Sequence, residues 1–147
     1  MATSEAMATS EATRRLDWAW LERVYVILVA LHTFAVGAAL FFVPAWALGI
    51  GGWREIPPLF FPRQAGIFHF ILGIAYLEEH RRFGGVSLLV MAKTFAVVFL
   101  LGATVLADVP WFVTAAGVGD GLMAVVAWWL HRKARRAAVA RARVTGL

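Results

Sequence analysis

Residues 86–106 read VSLLVMAKTFAVVFLLGATVL, a run of 21 residues in which Lys93 is the only charged side chain. Roughly 20 helical residues cross a bilayer core about 30 Å thick, so this run is long enough to span a membrane. Backbone amides find no water partner in lipid, and the run does not alternate in polarity as a barrel strand does. The sequence therefore predicts a transmembrane α-helix.

Three more apolar runs of similar length cover residues 24–43, 59–77 and 109–130. The run at 59–77 is the weakest, because Pro62 and Arg63 lie near its start. Hydrophobic residues make up 61% of the 147 and charged residues only 16%, too little polar surface to cover a soluble domain of this size. We predict an all-α integral membrane protein with four transmembrane helices in an up-down-up-down bundle.

Basic residues are divided unequally between the two sides of such a bundle. Eleven lie before the first helix, between the second and third, or after the fourth, whereas Arg54 and Arg63 lie on the opposite side. The positive-inside rule then places both termini in the cytoplasm. The chain has no cysteine, which excludes disulfides and thiolate metal ligands. We expect the basic C-terminal segment to contact anionic lipid headgroups, and we predict no nucleic-acid partner.

The sequence divides the chain into three parts. Residues 1–13 contain the hexapeptide MATSEA twice and are expected to form a flexible leader. Residues 14–131 form the predicted four-helix domain. It begins with a short interfacial helix at 14–23, which leads into the first transmembrane helix. Residues 132–147 form a basic cytoplasmic tail. The triplet Glu78-Glu79-His80 between the second and third helices is expected to be a solvated turn.

Each apolar run holds a titratable side chain well inside it: His32, His69, Lys93 and Asp120. At about 1.5 Å per residue, all four lie roughly 10–16 Å from the cytoplasmic helix ends, which predicts a single polar layer. An intramembrane charge costs about 2.5–3.5 kcal/mol on insertion scales and normally has a partner or a function. Lys93 is the expected partner of Asp120, with either histidine as second choice.

Helix faces indicate which of these side chains point inward. Gly117 shares the face of Asp120, and Gly66 and Tyr76 share that of His69. Small residues mark close contacts between membrane helices, so the second and fourth helices are the ones expected to pack most tightly. His32 is also expected to face the interior of the bundle, although bulky residues share its face of the helix.

Several roles for this layer stay open on the sequence alone. Lys93 either pairs with Asp120 or extends to the cytoplasmic headgroups. The polar contacts either join helices, form a ligand or proton site, or leave Asp120 protonated or facing a partner subunit. His32, His69 and Asp120 lack the spacing of a metal motif, so no metal site is predicted. Arg63 is either an interfacial anchor or a binding site for an anionic headgroup.

A family resemblance follows from Pro44 after the first run, a glycine-rich outer loop, Arg63-Gln64-Ala65-Gly66 opening the second run, and Gly73 with Tyr76 beyond it. These features, within residues 34–129, resemble the small four-helix membrane proteins grouped as DoxX-like. The resemblance implies a four-helix bundle of the bacterial inner membrane and permits a quinone-related role. It indicates no catalytic residue in this chain.

The sequence favours a multi-pass protein of the bacterial inner membrane that serves as an accessory subunit or interaction module of a larger complex. Short loops and a sparse polar set support this expectation. Its partners would be membrane lipids and other membrane subunits or a second copy of the chain. The alternative is a small enzyme or carrier that binds a quinone, another lipophile or protons at His69 and Asp120. No cofactor beyond such a quinone or lipophile is expected, and whether the chain is an enzyme stays open.

Overall fold

The computed structural model describes residues 17–145, and over this range it contains five α-helices and no strand. They are α1 (Trp18–Phe42), α2 (Pro44–Ile50), α3 (Phe60–Phe83), α4 (Ser87–Leu106) and α5 (Trp111–Thr145). The prediction of an all-helical protein is confirmed. The predicted leader at 1–13 lies outside the described residues.

Three of these helices are long and apolar enough to cross a membrane: α1, α4 and the part of α5 from Trp111 to Arg143. Their length and composition support the prediction that the chain is a membrane protein. The remaining long helix, α3, has 24 residues, or about 36 Å at 1.5 Å per residue. Its length is sufficient, but Pro62, Arg63, Gln64 and His69 make it less apolar than the other three.

The first helix begins where a side chain caps it. Asp17 accepts hydrogen bonds from the backbone N–H groups of Ala19 (3.1 Å) and Trp20 (3.3 Å), and so partners two amides that have no acceptor inside the helix. Residues 18–23 are therefore the first turns of α1 and not a separate interfacial helix, while residues 14–16 lie outside the described range. Pro44, with its fixed φ, begins the short helix α2 in the predicted outer loop.

The turn between α3 and α4 is built by one carboxylate and one glycine. Gly84 adopts a φ of +59° and ends α3. Glu79 accepts hydrogen bonds from the backbone N–H groups of Ser87 (2.9 Å) and Leu88 (2.8 Å), and so caps the start of α4. The expectation of a solvated turn at 78–80 is wrong, because this triplet lies inside α3 and Glu79 holds the next helix.

The helices associate as two antiparallel pairs, α1 with α3 and α4 with α5. A β carbon on Gly66 would lie 2.7 Å from the carbonyl oxygen of Gly37, so only glycine allows this approach of α1 and α3. Gly117 of α5 faces Leu101 of α4. The small residues of the second and fourth predicted helices, α3 and α5, lie at these two close contacts, as predicted.

A contiguous cluster of buried apolar side chains lies in one half of the bundle. We call the end where α1 and α4 begin and α3 ends the basic end, because Arg23 and Arg82 lie there, and the opposite end the far end. The buried apolar cluster consists of Val26, Val29, Tyr76, Val86, Leu89 and Ala127. Along every helix these residues are nearer the basic end than the titratable residue of that helix. At the far end, Gly52 lies against Trp111 and links the α2 segment to the start of α5.

Candidate functional site

Lys93 and Asp120 form an ion pair between α4 and α5. The Lys93 Nζ donates a hydrogen bond to Asp120 Oδ1 over 2.5 Å, and the two side chains are 8% and 16% exposed. Gly117, one turn before Asp120, admits Leu101 and so lets α4 approach this face of α5. Lys93 is thus the partner of Asp120, as predicted. Lys93 is directed into the helix pair, not toward the headgroups.

His69 lies half-buried on α3 and is held by its own helix. Its Nδ1 lies 2.7 Å from the carbonyl oxygen of Ala65, one turn earlier. Because a carbonyl oxygen only accepts, Nδ1 carries the proton, and Nε2 of the neutral ring keeps a lone pair. Among the described residues nothing donates to this Nε2. The ring therefore has one nitrogen fixed by the backbone and one open to a further partner.

His32 belongs to the same layer but lies at its edge. It lies near enough to Lys93, Asp120 and His69 for their charges to act on it. Its side chain is exposed, contrary to the expectation that it faces the interior. The adjacent Leu31 is also exposed, at 56%. The His32 imidazole makes no hydrogen bond within residues 17–143, so the polar layer reaches the surface of the bundle at this point.

Tyr76 and Arg63 lie on the same helix as His69 but at different depths. Tyr76 is 2% exposed, belongs to the buried cluster and lies within electrostatic range of Asp120. It closes the polar layer on the side of the basic end. Arg63 is exposed near the far end of α3 and lines an open surface groove with Phe41 and Phe60. Arg63 is therefore separate from the layer.

The polar layer thus has a closed part and an open part. The closed part is the Lys93–Asp120 pair, whose charges compensate each other. The open part consists of two imidazoles, each with hydrogen-bonding capacity that the described residues do not use. A neutral imidazole both donates and accepts, so this part suits a carbonyl or hydroxyl group, or a proton. Within the described residues no three His, Asp or Glu side chains are grouped to hold a metal ion.

A second polar cluster at the basic end was not identified in the sequence. Glu22 of α1 is buried at 6% exposure, and its Oε1 lies 2.6 Å from His131 Nδ1 of α5 and 4.0 Å from His80 Nδ1 of α3. A sequence signal exists, because Glu22, Val26 and Val29 follow the i, i+4, i+7 spacing of one helix face. An acid on an apolar stripe at a helix start indicates burial with a partner.

Comparison with protein-family models, with curated proteins and with solved structures gives no significant match. Nothing in these comparisons bears on the resemblance to DoxX-like proteins.

Proposed function

We propose that this chain binds a lipophilic molecule from the bilayer, with a hydrogen-bonding head such as that of a quinone, at the open part of its polar layer. The observation that supports the proposal most is the pair His32 and His69. Two imidazoles with unused nitrogens lie at membrane depth, and one of them is at the surface of the bundle. A polar group in lipid without a partner is costly, so a ligand from outside would stabilise this arrangement.

The proposal includes a membrane arrangement. In it α3 is the fourth span beside α1, α4 and α5, and both termini lie in the cytoplasm of a bacterial inner membrane. Antiparallel packing of α3 against α1 over nearly its whole length supports this, since Glu22 lies near His80 at one end and Gly37 meets Gly66 toward the other. The excess of basic residues at the basic end supports a cytoplasmic location of that end.

The ion pair would have a positioning role in this binding. Lys93 and Asp120 compensate each other at 2.5 Å, so neither supplies an unpaired charge that would repel an apolar molecule. The charges of Lys93 and Asp120 act on His32 in opposite directions and so partly cancel there. A carbonyl head between His32 and His69 would accept a hydrogen bond from one ring, and a hydroxyl head would donate to His69 Nε2.

Binding is tested with purified protein in lipid nanodiscs and a short-chain benzoquinone as the probe. His32→Leu and His69→Leu should each weaken its binding about two- to tenfold, the loss expected for one hydrogen bond of about 0.5–1.5 kcal/mol. Leu31→Ala, an exposed neighbour on α1, is the matched control and should bind like the original chain. Equal binding by all four proteins would contradict the proposal. Mass spectrometry of the lipids that copurify provides an independent measurement.

A second candidate, an accessory subunit of a larger membrane complex, is supported by α5. This helix continues without a break to Thr145, about 21 Å beyond His131 at 1.5 Å per residue. The continuation exposes Arg135 and Arg136, which suits an acidic surface on a partner protein. Removing residues 134–147 should then release copurifying proteins while leaving quinone binding unchanged. Unchanged copurification would count against this role.

A further inference from the structure

Three titratable side chains from three different helices meet at the basic end. Glu22 comes from α1, His80 from α3 and His131 from α5. His131 Nδ1 and Glu22 Oε1 are 2.6 Å apart, and since a carboxylate oxygen accepts, His131 is the donor. This charge-assisted hydrogen bond joins α1 to α5 at a buried position.

The third member of the cluster lacks a hydrogen bond. His80 Nδ1 is the buried side-chain nitrogen that has no hydrogen-bond partner within the described residues. It lies 4.0 Å from Glu22 Oε1, about 1 Å beyond hydrogen-bond distance. In a neutral ring with the proton on Nε2, Nδ1 and the Glu22 oxygen are both acceptors facing each other. A proton on Nδ1 would turn that nitrogen into a donor directed at the carboxylate.

Other charges near this end are already engaged or exposed. On α3, Glu78 pairs with Arg81 and Arg82, while Glu79 accepts from the first amides of α4. On α5, Arg132 lies over the Trp128 ring and Lys133 over the rings of Trp18 and Trp129. On α1, Arg23 is exposed, and the first turn of α4 carries no charge. Glu22 and His131 are therefore the titratable groups that His80 faces directly.

We propose that Glu22, His80 and His131 form a proton-binding site at the basic end of the bundle. A hydronium ion transfers a proton to the lone pair of His80 Nδ1: one O–H bond breaks, one N–H bond forms, and a neutral water molecule leaves. A small rotation of His80 then completes a hydrogen bond to Glu22, so that one carboxylate holds α3 and α5 against α1. The His80 and His131 side chains are 17% and 20% exposed, which gives water access from this end.

The expected pH dependence follows from this gain of a partner. With its proton on Nε2, the His80 ring gains this hydrogen bond only when Nδ1 takes up a second proton, so the extra stability is present at low pH and lost as pH rises. This site is independent of the proposed quinone site, because the buried cluster with Tyr76 lies between the two.

The direct test is nitrogen NMR of the full chain in nanodiscs, with ¹⁵N-labelled histidine, between about pH 8 and pH 5. His80 Nδ1 should change from an unprotonated to a protonated nitrogen over this range. Thermal stability of the bundle should increase in parallel. If His80 Nδ1 stays unprotonated throughout, the proposal is overturned, and this measurement needs no variant.

Variants then identify the cause of the stability gain. Glu22→Gln and His80→Gln should each lose the increase in thermal stability that acidification produces. His32→Gln, which removes a histidine outside the cluster, should keep it. An equal increase in all three variants would show that the gain arises elsewhere, and would overturn the proposal.

Discussion

Gly37 and Gly66 bring the backbones of α1 and α3 into direct contact: a β carbon on either residue would lie 2.7–3.0 Å from the other's carbonyl oxygen. Gly66→Ala must therefore force the two helices apart, because the obstructing atom belongs to the backbone. We expect a loss of about 1–3 kcal/mol in the free energy of unfolding, as for other overpacked sites. Circular dichroism during unfolding in mixed detergent micelles measures it.

Gly119 provides the matched control for this substitution. It lies in α5, and nothing would lie within 4 Å of an added β carbon. Gly119→Ala should leave the bundle unchanged or stabilise it by about 0.5–1 kcal/mol through helix propensity. Equal effects of the two substitutions would contradict the close contact between α1 and α3.

Replacing only one partner of the Lys93–Asp120 pair should destabilise the protein strongly. Lys93→Met leaves the carboxylate buried without a partner, which typically costs about 3–5 kcal/mol. The double variant Lys93→Met with Asp120→Leu removes both charges and should recover most of that loss. SDS unfolding gives the comparison, with Phe95→Leu, an exposed position on α4, as the control. A double variant as unstable as the single one would show that the pair itself is not the cause.

Glu79 should matter more to stability than its neighbour Glu78. Glu79→Ala removes the acceptor for two backbone N–H groups at the start of α4, a loss of about 1–2 kcal/mol for a helix cap. Glu78→Ala removes only exposed ion pairs with Arg81 and Arg82, worth at most about 1 kcal/mol. The two variants are compared by thermal denaturation. A larger effect of Glu78→Ala would contradict the capping role.

The four-span arrangement can be tested by labelling, since the chain contains no cysteine. Gly49→Cys and Asp108→Cys place single thiols at exposed far-end positions, and Arg81→Cys places one at the exposed basic end. A membrane-impermeant maleimide added to intact cells should label the first two only. Labelling of Gly49→Cys and Arg81→Cys, with Asp108→Cys protected, would mean that α3 does not cross the membrane.

Helix positions were largely predictable from the sequence, because helices in lipid must satisfy their own backbone. The run 86–106 differs from α4 (Ser87–Leu106) by one residue. The continuation of α5 to Thr145 was not predicted, since a run of arginines ends a hydropathy signal. Alanine and arginine nevertheless have high helix propensity, so the backbone continues as a helix after the apolar residues end.

The polar layer was predictable in depth but not in orientation. A rise of about 1.5 Å per residue fixes the heights of His32, His69, Lys93 and Asp120. Periodicity shows that a helix face carries small residues such as Gly66, yet it cannot say which neighbouring helix packs on that face. His32 turned outward because Val29 and Thr33 occupy the buried face of α1. Glu22 was missed because an acid near a helix start resembles an ordinary surface residue.

The one-sided position of the core has a consequence for motion. Beyond Lys93, α4 buries no side chain, whereas Val26, Leu89 and Ala127 tie the basic half together. Segments with few buried contacts open more readily than a packed core. Amide hydrogens in the far half of α4 should therefore exchange faster than those near Leu89. The far half of α4 is then the part of the bundle that moves most readily, while the basic half stays packed.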